Sequence, residues 1–274
     1  LTTGLTGALS LGSVARAAAP GLSLSGRFVQ GGFAVGRTAP RATALLNAVP
    51  VAQASAAGWF VIGFDRDAPP QALIAVATPE GSASQQLTIA AGDFDIQRID
   101  GLADDQVSPS DPALLARIAA ESARKSVGFA SRIDGDFFRT GFILPVQAVR
   151  RSSRFGGQRI LNGQPKRPHY GVDLAAPIGT PVVAPAAGMV SFAETGLHFE
   201  GGLILIDHGQ GLVTAYLHLS RIAVVAGQSV IQGQVIGAVG KEGRATGPHL
   251  CWRMRWRDQN LDPSLMVGFA PPRA

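Results

Sequence analysis

The chain has 274 residues, 46% of them hydrophobic and 16% charged, enough for two ordinary domains with their own cores. Its net charge of +5 is carried almost wholly by arginine, since lysine occurs only at 125, 166 and 241. Such a surface suits a polyanion (nucleic acid, an anionic membrane or an acidic wall polymer) without choosing among them. The single cysteine, Cys251, excludes an intramolecular disulfide.

Residues 1–19 stand apart. Leu1 to Val14 is small and apolar, and Ala15-Arg16-Ala17 follows it. This looks like the back half of a secretory signal, with Ala15-x-Ala17 as the cleavage site, or else an Ala/Gly-rich tail. No other stretch is long and apolar enough to span a bilayer.

From 23 to 103 short apolar runs alternate with turns: Phe33 to Val35, Trp59 to Phe64, Ala72 to Ala77, Leu87 to Ile89. This spacing predicts a small antiparallel β-sandwich. The segment contains no histidine, and Asp65 and Asp67 read as a solvated turn. A linker over 104–139 follows, loop-rich to Asp111. Asp111-Pro112 is a good N-cap and first helical position, and helix formers continue to Lys125, so a connecting helix is predicted over 112–125.

The stretch 140–270 returns to strands and turns and holds all five histidines. Residues 179–190 and 227–237 look alike, each pairing short strands through glycine turns. This is the hammerhead-like pattern of lipoyl carrier domains. Neither Lys166 nor Lys241 sits as a carrier lysine would.

Three short segments can carry chemistry. In His169-Tyr170-Gly171-Val172-Asp173 the even separation puts both polar side chains on one strand face, where they can supply two metal ligands. In His249-Leu250-Cys251 the separation of two does the same. Thr214 to Leu219 alternates, with Leu217 and Leu219 expected toward the core and Tyr216 and His218 away from it. Each alone has an ordinary reading, as a surface pair, a buried small cysteine or an amphipathic strand.

Together they resemble the M23 family of zinc metallopeptidases, the LytM/lysostaphin type. Its H-x-G-x-D motif matches 169–173, its Tyr-x-His-Leu-Ser strand matches 216–220, and its H-x-H after Thr-Gly-Pro matches 249–251. Flanking segments at 154–159, 175–182, 206–209 and 262–263 also look like the family, so the resemblance covers about 150–266 in order. It implies a mainly β fold with an M23-type antiparallel β domain of lipoyl-like, barrel-sandwich-hybrid character. It implies zinc held by His169 and Asp173, with His249 as catalytic acid/base and His218 orienting the water or stabilising the oxyanion.

The third ligand position, a histidine in the family, is Cys251 here. Either the thiolate completes the zinc site, or the site is degenerate and the chain is a non-catalytic regulator that activates a cell-wall amidase or serves the division machinery. The first reading implies a zinc endopeptidase acting on peptidoglycan cross-links or stem peptides. Its location would be periplasmic or secreted, and nucleic acid would play no part. Arginines 150, 151, 154, 159, 167, 253, 255 and 257 flank the motifs and can meet acidic wall groups. His208 reads as structural, and His198 as an exposed loop residue.

Overall fold

The computed structural model describes residues 19–147 and 150–271; most of the signal-like stretch lies outside the described residues. Seven strands come first: β1 (Ser23–Arg27), β2 (Phe33–Arg37), β3 (Thr43–Leu46), β4 (Val49–Gln53), β5 (Trp59–Gly63), β6 (Gln71–Thr78) and β7 (Gly81–Thr88). They build two antiparallel sheets, in the orders β1-β2-β5 and β4-β3-β6-β7. In β6 the buried residues are Ala72, Ile74 and Val76, the period of a strand with one wet face. All of β5 and all of β2 but Arg37 are buried, which is why both read as continuous apolar runs.

β8 (Ile96–Ile99) belongs elsewhere. It runs parallel to β10 (Gln158–Leu161), with Ile96 opposite Gln158 and Ile99 opposite Leu161. The chain then makes α1 (Asp104–Val107), a short turn of helix inside the expected loop, and α2 (Pro112–Phe129). The Asp111 carboxylate accepts the Leu114 N–H at 2.7 Å, as the N-cap reading requires.

α2 runs four residues past the predicted end, through Gly128, because this glycine lets the helix approach the sheet. A Cβ there would lie 2.8 Å from Phe192 Cβ and 2.9 Å from Leu205 Cδ1. Lys125 is therefore not in the last turn. It pairs with Glu200 at 2.7 Å while Arg124 pairs with Glu194 at 2.9 Å. The buried carboxylate of Glu121 takes Arg117 at 2.8 Å and accepts the His198 N–H at 2.9 Å. Polar contacts rather than an apolar stripe seat most of this helix.

The remaining strands are β9 (Arg150–Ser153), β11 (Gln164–Pro165), β12 (Val172–Ala175), β13 (Pro181–Val183), β14 (Gly188–Leu197), β15 (Gly201–Asp207), β16 (Leu212–Leu219), β17 (Arg221–Ile222), β18 (Ser229–Val230), β19 (Val235–Ala238), β20 (His249–Trp256) and β21 (Gln259–Leu261). The main sheet has the order β18-β14-β15-β16-β20-β12-β9, with β21 hairpinned onto β20. The two look-alike segments interlock: β13 pairs with β19, and β14 with β18, both antiparallel.

One face of the main sheet carries Ile204, Ile206, Tyr216, Leu250, Trp252 and Met254, in the same buried cluster as the N-terminal residues Phe60 and Ile62. The Phe33 and Phe269 rings meet edge-on at 5.0 Å, and Gly63 backs onto Leu261 and Trp256. The other face carries Leu203, Leu205, Val213, Ala215, Leu217 and Cys251. Among the described residues, no helix is long and apolar enough to cross a membrane.

Candidate metal centre

The register of the main sheet sets the site. Asp173 on β12 lies opposite Cys251 on β20, and Cys251 lies opposite Leu217 on β16. Paired residues point to the same side, so Asp173, Cys251 and His249 share the second face of the sheet.

His169 reaches the same point by a different route from the one its spacing suggests. A straight strand would hold residues i and i+4 about 13 Å apart at about 3.3 Å per residue, too far for one ion. Strand β12 begins only at Val172, and the chain bends at Gly171. That bend brings His169 Nε2 to 3.2 Å from Asp173 Oδ1 and 3.3 Å from Cys251 Sγ. It demands glycine: a Cβ at 171 would lie 2.8 Å from Arg253 Cγ, 3.0 Å from the Trp252 carbonyl oxygen and 3.1 Å from Cys251 Sγ.

His218 arrives through a break in alternation. Its φ of 67° is left-handed, a conformation uncommon for a residue other than glycine. This corrects the alternating reading of 214–219. Tyr216 and Leu219 lie in the main core, and Leu217 lies on the opposite face beside Cys251. The kink swings His218 toward His249, with ring centroids 4.7 Å apart.

Hydrogen bonds fix the tautomers. Nδ1 of His218 lies 2.7 Å from the Glu242 carbonyl oxygen, and Nδ1 of His249 lies 2.8 Å from that of Gly247. A carbonyl only accepts, so each Nδ1 carries its proton and each Nε2 presents a lone pair. Burial pushes the His218 imidazole down to about 4, against a smaller upward pull from its bond to the Glu242 carbonyl. Burial likewise lowers His249, and the nearby His218 adds to that. Both rings are neutral near pH 7.

His169 Nδ1 lies 2.8 Å from Ser153 Oγ, which also accepts from Gln97 Nε2 at 2.6 Å. Nε2 of the same ring faces Asp173 and Cys251. Asp173 Oδ1 is buried without a hydrogen bond. Burial raises the Asp173 carboxyl, but His169, His249 and Arg159 together hold it well below the usual carboxylate range. Arg253 Nε donates to Cys251 Sγ at 3.3 Å.

These atoms form a ready donor set. The Nε2, Oδ1 and Sγ atoms of His169, Asp173 and Cys251 all lie within 4.8 Å of one another. Donors bound tetrahedrally to zinc at about 2.0–2.3 Å stand roughly 3.3–3.7 Å apart, and the 3.2 and 3.3 Å from His169 Nε2 to Asp173 and Cys251 are close to that. A buried carboxylate oxygen without a hydrogen bond, beside an imidazole nitrogen and a thiol sulfur, is an arrangement a cation resolves. The nitrogen, oxygen and sulfur donors suit zinc.

All five residues singled out in the sequence thus converge. The other two histidines do not join them. His208 is fully buried, with Nδ1 at 2.7 Å from the Ala187 carbonyl oxygen and Nε2 at 2.8 Å from Thr214 Oγ1. His198 is half-buried in a turn rather than on an exposed loop, its Nε2 at 3.1 Å from the Asp105 carbonyl oxygen. Asp65 Oδ2 accepts the Asn260 N–H at 2.7 Å, and Asp67 pairs with Arg66 at 2.6 Å. Gln97 and Ser153, which buttress His169 from strands β8 and β9, carry no motif that marks them in the sequence. A cleft of about 700 Å³ opens at the site between these two residues, Arg150, Arg159, Thr246 and His249.

The chain is similar to proteins of known sequence and structure. The model of Peptidase family M23 matches residues 167–263. A Pseudomonas aeruginosa crystal structure described as a peptidase M23 superposes with a TM-score of 0.68 at 30% identity, covering 88% of this chain and 95% of that one. Peptidoglycan DD-endopeptidase ShyA of Vibrio cholerae is 42% identical over 125 residues, 44% of this chain and 29% of the relative. DD-carboxypeptidase/endopeptidase Mpg of Neisseria meningitidis is 40% identical over 121 residues, 44% of this chain and 28% of the relative. The chain thus matches less than a third of the length of these curated relatives.

Proposed function

Since the chain belongs to peptidase family M23, we propose that it is a zinc-dependent endopeptidase that hydrolyses peptide bonds in peptidoglycan cross-links or stem peptides. The observation that carries this reading is the convergence of His169, Asp173 and Cys251 on one point beside two neutral histidines. The names of ShyA and Mpg support the substrate class. The signal-like stretch at the start of the sequence supports a periplasmic or secreted location.

His169, Asp173 and Cys251 would hold the metal. When bound, zinc supplies a Lewis acid that lowers the pKa of a coordinated water to about 7 and polarises the scissile carbonyl. His249 accepts the proton of the attacking water at Nε2 and delivers it to the leaving amine. His218, whose Nε2 is also a lone pair, orients that water as an acceptor; with Nδ1 committed to Glu242, this tautomer does not suit an oxyanion donor. The closeness of the two rings disfavours protonating both, so one proton shuttles. Ser153 and Gln97 hold the orientation of the His169 ring.

A second reading rests on Cys251 and its Arg253 contact. Arg253 Nε already donates to this sulfur, and on this reading the site is degenerate and the chain is a non-catalytic regulator that activates a cell-wall amidase. One experiment separates the two. Zinc is quantified in the purified protein, which is then incubated with purified peptidoglycan, and the fragments are analysed. Bound zinc with new peptide ends, lost in His249→Ala without loss of zinc, supports the endopeptidase. A folded metal-free chain that cleaves nothing but stimulates an amidase supports the regulator.

A further inference from the structure

A second cleft, of about 630 Å³, is lined in part by His169 and shares Arg159 with the first. It differs from the first in charge. The first cleft has acidic partners in its walls: Asp95, 3.6 Å from Arg154, and Asp173. The second is lined by six cations, Arg159, Lys166, Arg167, Arg244, Arg253 and Arg255, against a single acid, Asp258. Asp258 is almost fully exposed and stands 3.9 Å from Arg255, the outer limit of an ion pair. Among the described residues the other five cations make no ion pair with a carboxylate.

Two of these guanidiniums are also short of hydrogen-bond partners: the Nε atoms of Arg159 and Arg255 are buried with none. Arg253 spends its Nε on Cys251 Sγ, Arg244 reaches the Gln106 carbonyl oxygen at 3.0 Å, and Lys166 Nζ reaches Ser108 Oγ at 2.9 Å. Burial and the mutual repulsion of Arg159, Arg244 and Arg253 bring Arg244 down to about 10, still charged at neutral pH. Desolvated like charges crowded around an open cleft are costly unless an anion enters. Arginine forks match the planar, two-oxygen geometry of a carboxylate.

We infer that this second cleft, lined by Arg159, Arg167, Arg244 and Arg255 beside His169, is a subsite for a free carboxylate of the peptide substrate. The inference rests on the reading of the substrate as a peptidoglycan peptide. It adds that the enzyme selects peptides carrying an unmodified carboxylate on the His169 side of the metal ligands.

The test measures binding without turnover. Cross-linked peptide dimers purified from peptidoglycan are titrated into zinc-loaded His249→Ala protein. They are compared with the same dimers after their carboxyl groups have been converted to carboxamides. Native dimers are expected to bind at least about tenfold more tightly, because hydrogen bonds to a charged group are the stronger class. Arg255→Gln and the solvent-exposed Arg167→Gln should each reduce that preference, and Arg255→Lys should restore part of it. Arg167 is exposed, so its replacement reads out the cleft even if a buried variant fails to fold. Equal binding of native and amidated dimers would overturn the inference, as would full preference retained in both glutamine variants. Inorganic phosphate binding as tightly as the dimers would overturn the assignment to a carboxylate. A wild-type chain that hydrolyses nothing yet shows the arginine-dependent preference would sink the proposed activity and leave the subsite standing.

Discussion

Gly171→Ala tests how the metal centre is assembled. The new methyl carbon would lie 2.8 Å from Arg253 Cγ, 3.0 Å from the Trp252 carbonyl oxygen and 3.1 Å from Cys251 Sγ. None of these can move cheaply. The carbonyl is main chain in the centre of β20, Arg253 Cγ is close to its own backbone, and Cys251 is almost fully buried. The bend must therefore open by several tenths of an ångström. Overpacking of this kind costs about 1–3 kcal/mol. For a chain of this size class each kcal/mol lowers Tm by about 2–4 °C. The same opening separates His169 from Cys251, so zinc affinity should fall roughly 10- to 100-fold, the loss typical when support of a ligand is disturbed. Calorimetry in the presence of chelator gives the first effect, and competition against a chromogenic chelator gives the second. Unchanged Tm and unchanged zinc affinity in Gly171→Ala would refute the close-approach reasoning. A lowered Tm with unchanged affinity would refute the link between the bend and the ligands.

Three further outcomes are expected. Ser153→Ala removes the hydroxyl that holds the His169 ring and should weaken zinc binding about 10- to 100-fold with an unchanged circular dichroism spectrum. Gly128→Ala sets helix propensity, worth about 1 kcal/mol in favour of alanine, against overpacking on Phe192 and Leu205 that costs about 1–3 kcal/mol. Net destabilisation in urea is expected, and stabilisation would show that the helix can lift off. His208 is held at about 4 by burial, below the ordinary value near 6.5. Between those values the unfolded chain binds more protons, so stability is full above about pH 6.5 and falls as pH drops toward 4, by about 3 kcal/mol from this group. Urea midpoints measured across that window should follow the fall, and His208→Gln should flatten it while lowering stability at pH 7.

The strands with one wet face, and the fully apolar runs of β2 and β5, were legible because burial writes a period into the sequence. The five site residues were legible as motifs, although the geometry first ascribed to them was only partly right. Spacing alone suggested that His169 and Asp173 share a straight strand, whereas the bend at Gly171 is what makes them neighbours. Alternation assigned Tyr216 and His218 to one side. The left-handed backbone at His218 breaks that period, and the sequence carries no glycine there to announce it. Gln97 and Ser153 were invisible for a topological reason. They meet His169 only because β8 pairs in parallel with β10 and β9 pairs with β12, and long-range pairing leaves no local pattern. The helix predicted to Lys125 stops short of Gly128, because glycine's low propensity is local information and its tight seat against Phe192 is not.

The central claim is that His169, Asp173 and Cys251 together hold zinc. X-ray absorption at the zinc edge of the metal-loaded protein tests it most directly. One zinc per chain is expected, with a single sulfur neighbour at about 2.3 Å among nitrogen and oxygen neighbours at about 2.0–2.2 Å, the sulfur disappearing in Cys251→Ser. A first shell of nitrogen and oxygen alone in the wild-type protein, or no tightly bound zinc at all, would contradict it.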